Sequence, residues 1–196
     1  MKTARAYRQG LRALQASANE ERILDAAERL FATELFDRVS LAEVARASGV
    51  SIPTLQRRFG SKDGLFEATG RRVRERVLAQ RRPAAPDPIS ALAALLDHYE
   101  QEGAMMWHLL RQESDVPALG VVLAEARSMH RVWIEGVFAP LLDGLEGEDR
   151  HTRVDALVAA TDLYLWKLLR IDLGRSRAHT ERLITGLVHN VARGEL

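Results

Sequence analysis

The chain has 196 residues, 46% hydrophobic and 28% charged, and no cysteine, which is enough to bury a real core and excludes disulfides, thiolate metal sites and cysteine nucleophiles. No apolar run approaches the roughly 18–20 residues that cross a bilayer, and no apolar signal-peptide core follows Lys2, Arg5, Arg8 and Arg12, so a cytoplasmic chain with no membrane contact is expected. The net charge of +1 is unevenly spread: residues 1–82 hold 17 Lys/Arg against 10 Asp/Glu, and residues 83–196 hold 11 against 17, a pattern that points to nucleic acid at the N-terminal end only.

Residues 1–18 are rich in Arg, Ala and Gln and read as a solvated basic arm, of the kind that can follow phosphates or a minor groove. Residues 19–36 form an amphipathic helix, with Asn19 as N-cap and Glu20 and Glu21 in the first turn. Ile23, Ala27, Leu30 and Phe31 share one face. Ser40 is the next N-cap, and Glu43 three residues on completes a capping box. Leu41, Val44 and Ala45 face inward, and Gly49 breaks the helix where a left-handed backbone is needed. Ser51 caps a second short helix, in whose first turn Pro53 is tolerated. Leu55 and Phe59, at i and i+4, anchor it and leave Ile52, Thr54, Gln56, Arg57 and Arg58 on other faces. This is a helix-turn-helix able to present side chains to a major groove. A helical hairpin with a solvated basic face has the same pattern, and pattern alone leaves both open.

Ser61 caps a helix over 61–81, with Leu65, Phe66, Thr69, Val73 and Val77 inward. Lys62 opposes the helix dipole at this end, and a phosphate contact would account for it. Gly64 and Gly70 each cost about 1 kcal/mol relative to alanine, for which close packing is the only reason at hand. The arginines at 71, 72, 74 and 76 read as a solvated face. Pro83, Pro86 and Pro88 then mark a boundary between units 1–82 and 83–196.

Beyond it come helices over 89–102, ended near Gly103, and over 104–114, 117–137 and, after Pro140, 141–145. A long helix over 149–173, closed by Gly174, and a last one over 176–193 complete an all-α chain without strand alternation. The last two are the most apolar around their circumference, which suits an isologous four-helix contact between two subunits. His98, Met105, Trp107, His108, Met129, Trp133, Asp162, Tyr164 and Trp166 are candidates to line a small-molecule cavity, with Met and aromatics as walls and the polar groups as orienters. Core packing explains any one of them equally well. The only Glu-x-x-His, Glu148–His151, stands alone, and nucleotide-binding, zinc-protease and nucleophile-elbow motifs are missing from the sequence. No catalytic residue, metal or cofactor is expected, and the chain is not read as an enzyme.

Ile23-Leu24-Asp25-Ala26-Ala27, Leu30-Phe31, Val44-Ala45, Gly49-Val50-Ser51, Thr54-Leu55, Phe59, Ser61-Lys62 and Leu65 resemble, in order and spacing, the DNA-binding domain of the tetracycline-repressor (TetR) family of transcriptional regulators. More weakly, Ala159–Tyr164 and Leu173-Gly174 resemble the family's C-terminal part. The resemblance implies a three-helix DNA-binding domain over 1–82 and a helical-bundle domain for effector binding and dimerisation over 83–196. It implies a homodimer joined through the last two helices, a double-stranded DNA operator, and a repressor released by a small-molecule effector that tilts the 61–81 helix. Thr54, Arg57 and Arg58 would then contact DNA, and Ile52 and Pro53 a thymine methyl. Ser40, Ser51, Gln56 and Lys62 would complete the interface, with Ser40, Gln56 and Lys62 on phosphates. Gln56 stands where family members usually carry tyrosine. The rival expectation is a helical ligand-binding or adaptor protein that keeps the domain as a scaffold and no longer binds DNA.

Overall fold

The computed structural model describes residues 2–82 and 87–194, with side chains from Leu14 onward. The side chains of Lys2, Arg5, Arg8 and Arg12, and the linker prolines Pro83 and Pro86, lie outside the described residues. Every element among the described residues is helical or a turn.

Helix α1 runs unbroken from Lys2 to Thr33. The expected start at Asn19 is therefore corrected: Asn19 lies mid-helix, and its Oδ1 accepts bonds from Arg22 (2.7 Å) and Gln15 (3.3 Å) instead of capping a first turn. The stretch before it is mostly Ala, Arg, Leu and Gln with no proline, and its single glycine, Gly10, does not end the helix. The helix stops at Thr33, and a 3-10 turn over Phe36–Arg38 swings Phe36 into the core. Its ring lies 5.6 Å from that of Phe31 and 5.3 Å from that of Phe66.

Helices α2 (Leu41–Ser48) and α3 (Ile52–Phe59) follow as the capping signals require. Ser40 and Glu43 form the full capping box, and Gly49 closes α2 with φ 67°. Helix α4 (Lys62–Gln80) is capped by Ser61, whose hydroxyl accepts the Gly64 N–H at 3.1 Å. The same turn explains Gly64: a Cβ there would lie 2.2 Å from the Phe59 carbonyl oxygen. Ile23, Ala27, Phe31, Val44, Leu55 and Leu65 pack into one core. That core also takes in Val116, Leu119, Val122 and Leu123 from beyond the linker.

Asp87 caps helix α5 (Pro88–Leu110) through the N–H groups of Ile89 and Ser90. The expected break at Gly103 is corrected: α5 continues through it. Gly103 is there for a close approach, since a Cβ would sit 2.5 Å from the Trp166 ring. Helix α6 (Pro117–Val137) leads into the short α7 (Ala139–Leu142). The single helix expected over 149–173 is also corrected. It is α8 (Gly147–Thr161), α9 (Leu163–Lys167) and a π-helical turn over Leu168–Asp172. Asp162 makes the break, with extended backbone and a carboxylate that accepts the Tyr164 N–H at 2.9 Å. Helix α10 (Arg177–Arg193) ends the fold. Leu92, Leu95, Tyr99, Ile134, Phe138, Leu157, Ile184 and Val188 form the second core.

Candidate nucleic-acid interface and ligand cavity

Leu55, fully buried, pins α3 across the N-terminal core and decides which of its residues face out. Ser51, Ile52, Pro53, Gln56, Arg57 and Arg58 are exposed and Thr54 is half-buried. Ser51 stands at the N-cap position without bonding a helix N–H; its hydroxyl pairs with that of Thr54 at 3.0 Å. The side chains of Gln56 and Arg57 make no hydrogen bond or ion pair among the described residues, so both are available to a ligand. Arg58 reaches Glu20 on α1 at 2.6 Å, an exposed pair of the kind worth little and easily exchanged. The Ser40 hydroxyl is occupied by its cap: it accepts the Glu43 N–H at 3.2 Å and donates to the Glu43 carboxylate at 2.8 Å. Those bonds from the Ser40 side chain and backbone hold the Glu43 carboxyl below its ordinary range.

Lys62 is half-buried. Its ammonium donates to the Phe36 carbonyl at 3.0 Å and lies 4.4 Å from the Phe36 ring centre. The 3-10 turn it braces supplies a reason for a lysine at a helix start that does not involve DNA. The Phe36 N–H, on the other side of that turn, donates to Gln112 Oε1 at 2.9 Å. Gln112 Nε2 donates to the His108 carbonyl at 2.8 Å, and His108 Nε2 lies 2.9 Å from the Glu34 carbonyl oxygen. The C-terminal end of α5 is thus latched to the segment that leads into the helix-turn-helix of α2 and α3, the expected DNA reader.

The arginines of α4 are not a solvated face. Arg72 pairs with Asp25 (2.8 Å) and Glu28 (2.8 Å), and Arg76 with Glu28 (2.6 Å) and Glu102 (3.2 Å), joining α1, α4 and α5. Arg74 pairs with Glu125 of α6 at 2.5 Å, and only Arg71 of the four is exposed. Partial burial pushes the Glu28 carboxyl up, and the bonds from Arg76 and Arg72 outweigh this and leave it below its usual range.

Between these ties lies a cavity of about 150 Å³, walled by α4, α5, α6 and the start of α9. Phe66, Thr69, Val73 and Val77 of α4 form one wall. Gly70 belongs to it as well, since a Cβ there would meet Val122 Cγ1 at 2.9 Å. Of the expected lining residues, His98, Met105, Met129, Asp162 and Tyr164 border the cavity. Four do not border it. Trp107 packs edge-on against Tyr164 beneath Lys167, and His108 belongs to the latch. Trp133 stacks on His130, and Trp166 is buried against Gly103 with its Nε1 donating to Glu100 at 3.0 Å.

The polar floor of this cavity leaves no mark in the sequence. Arg81, the residue that ends α4, is 2% exposed, beside Tyr99 and His130. The adjacent Arg82 is exposed, and nothing local in Arg81-Arg82 separates the two. Burial, then the nearby Arg81 charge, pushes His98 and His130 down to about 3, so both imidazoles are neutral at pH 7.

Residues 23–69 match the family model of bacterial regulatory proteins of the tetR family. The N-terminal domain is that of the TetR family. The TetR-type fold extends over about 90% of the chain. A transcriptional regulator from Rhodococcus sp. Rha1 superposes with a TM-score of 0.67 at 22% identity, over 90% of this chain and 98% of that one. A tetR-family transcriptional regulator from Streptomyces coelicolor gives 0.68 at 19% identity, over 90% and 82%. A TetR-like transcriptional regulator from Rhodococcus sp. RHA1 gives 0.64 at 24% identity, over 90% and 96%. No curated protein matches the chain by sequence. With its TetR-type reader and fold, the protein is a DNA-binding transcriptional regulator. Among the described residues no helix is long and apolar enough to cross a membrane.

Proposed function

We infer that this protein acts as a cytoplasmic homodimer that holds an operator through two copies of α3 and is released by a small-molecule effector. The observation that carries the reading is the outer face of α3, where Gln56 and Arg57 are exposed and unpartnered on a helix fixed by Leu55 and two flanking caps. Two such helices enter successive major grooves roughly 34–36 Å apart. Arg57 and Arg58 take DNA, Thr54 and Gln56 flank them, and Ile52 and Pro53 supply apolar contact to a thymine methyl. Ser40, Ser51 and Lys62 border this face, and their bonds within the fold make them support for it first and phosphate contacts second.

An apolar strip on the last two helical segments supports the dimer. Ile171 and Leu173 are 58% and 50% exposed, and Leu168, Leu183 and Leu187 are exposed as well. Five large apolar side chains at the end of the chain are well suited to an isologous contact. The effector reading rests on the cavity and on α4, which begins at the reader and is followed at its C-cap by Arg81. A ligand that prefers one seating of α4 changes the spacing of the two readers, and affinity for the operator changes by that preference.

The experiment is selection of bound fragments from genomic DNA, followed by a salt titration on the winning site. Enrichment of one palindromic sequence and a steep loss of affinity with salt are expected. A dimeric protein that retains no DNA at low salt would instead be a ligand-binding or adaptor protein. Leu183→Glu with Leu187→Glu should yield monomers in sedimentation and abolish operator binding together.

A further inference from the structure

Arg81 is the one strongly buried cation that borders the cavity. No carboxylate lies within ion-pair distance of it among the described residues; Asp162, on the same cavity, acts only at longer range. One terminal nitrogen donates to His130 Nδ1 at 3.1 Å, and its Nε is buried without an acceptor. His130 is fully used by this. Since Nδ1 accepts, Nε2 carries the proton and donates to the Thr161 hydroxyl at 3.1 Å, which donates to the Leu157 carbonyl at 2.7 Å. His98 differs. Its Nδ1 lies 3.3 Å from Gln80 Oε1, and its Nε2 is buried without a partner. With Nδ1–H donating to Gln80, the neutral ring leaves Nε2 as a bare acceptor.

The polar end of an otherwise apolar cavity therefore holds one unmet donor on a buried cation with no carboxylate partner and one unmet acceptor, while the other unmet donor on the lining, Arg74 Nη1, belongs to a guanidinium already paired with Glu125. Each is costly to leave without a partner. We propose that the cavity binds a small apolar carboxylic acid, its carboxyl taken by Arg81 and His98 and its hydrocarbon body by Phe66, Val73, Met105 and Leu109. A carboxyl satisfies both groups at once: one oxygen accepts from the guanidinium, and the hydroxyl donates to His98 Nε2. If the proton moves onto Nε2, the result is a carboxylate between guanidinium and imidazolium, with no change in total charge. An amine meets the Arg81 charge with a like charge, and a hydrocarbon leaves both groups unmet. A cavity of about 150 Å³ accepts a single benzene ring, so the acid is one ring on a short tether or a chain of similar bulk.

This rests on the reading of the cavity as an effector site, and the test separates the two. The full-length protein is titrated calorimetrically with 3-phenylpropionate, 3-phenylpropylamine and propylbenzene, without DNA. The acid should bind at least about tenfold more tightly than either analogue. Arg81→Met should weaken the acid about tenfold or more and leave propylbenzene within about twofold. His98→Phe provides a second variant, with the same preference lost. Equal affinity for the three ligands, or no acid binding up to about 1 mM, overturns the proposal. A parallel operator gel shift addresses the other reading: acid that binds without releasing DNA sustains the ligand class and removes effector release. Release by the amine or hydrocarbon and not by the acid does the reverse.

Discussion

Replacing Gln112 by alanine tests whether the reader and the effector-side helices are one mechanical unit. Gln112 is 8% exposed and follows the end of α5. Its amide makes two bonds, accepting the Phe36 N–H at 2.9 Å and donating to the His108 carbonyl at 2.8 Å. Phe36 is itself 5% exposed, so its N–H finds no ready water when the glutamine is gone. A buried donor left unmet costs about 1–3 kcal/mol, and the His108 carbonyl, at a helix end, adds little because 3-10 bonding and solvent can serve it. A loss of about 2 kcal/mol corresponds to about 4–8 °C in Tm for a chain of this size. Urea unfolding at fixed protein concentration, followed by both tryptophan fluorescence and circular dichroism, measures it. Gln112→Glu keeps the acceptor for Phe36 and loses the donor to His108, so it should fall between the two. A Gln112→Ala protein within about 0.5 kcal/mol of the parent, with an unchanged m-value, would refute the latch as an energetic tie.

Other substitutions probe other links. Gly103→Ala puts a methyl 2.5 Å from a Trp166 ring fixed by its bond to Glu100, so it should destabilise by about 1–2 kcal/mol despite the helix propensity gained. In a Trp166→Leu background the same change should become neutral or stabilising, and a loss of equal size there would count against the packing argument. His98 and His130 are held near 3 in the fold against 6.5 unfolded. The unfolded chain therefore binds protons first, and stability falls as pH drops from about 6.5, by up to about 1.4 kcal/mol per pH unit for each histidine. A denaturation midpoint that stays flat between about pH 7 and 5 would contradict this burial. Arg57→Ala should reduce the salt slope of operator binding by about two per dimer if the guanidinium neutralises a phosphate. An unchanged slope with relaxed sequence preference would assign it to a base edge. Glu20→Gln, which frees Arg58, should tighten binding, and weaker binding would show that Glu20 positions Arg58.

The reader was legible because its signals are local. The Ser40–Glu43 box, the left-handed Gly49 and the i, i+4 pair Leu55 and Phe59 are satisfied by residues a few positions away. Any chain with these neighbours meets the same geometry, which is why the Ser40 and Ser61 caps, the turn and the inward face followed from order and spacing, while Ser51 holds the N-cap position but turns its hydroxyl to Thr54. Gln56 and Arg57 were legible as outward for the same reason: Leu55 can face only one way.

What only the tertiary structure decided depends on partners far along the chain. Gly103 reads as a helix end, yet Trp166, 63 residues on, makes it a contact inside one helix. Asp162 sits in an apolar helical run, and its carboxylate caps a new helix there because Tyr99 and His130 already engage the Thr161 carbonyl and hydroxyl. Lys62 looks like a phosphate ligand until Phe36 folds back over α4, and the α4 arginines look solvated until Glu28 and Glu102 meet them. Arg81 is the sharpest case. Sequence sets a strongly charged pair ahead of three prolines, and only packing against Tyr99 and His130 turns one of the two into the buried, half-satisfied cation at the floor of the cavity.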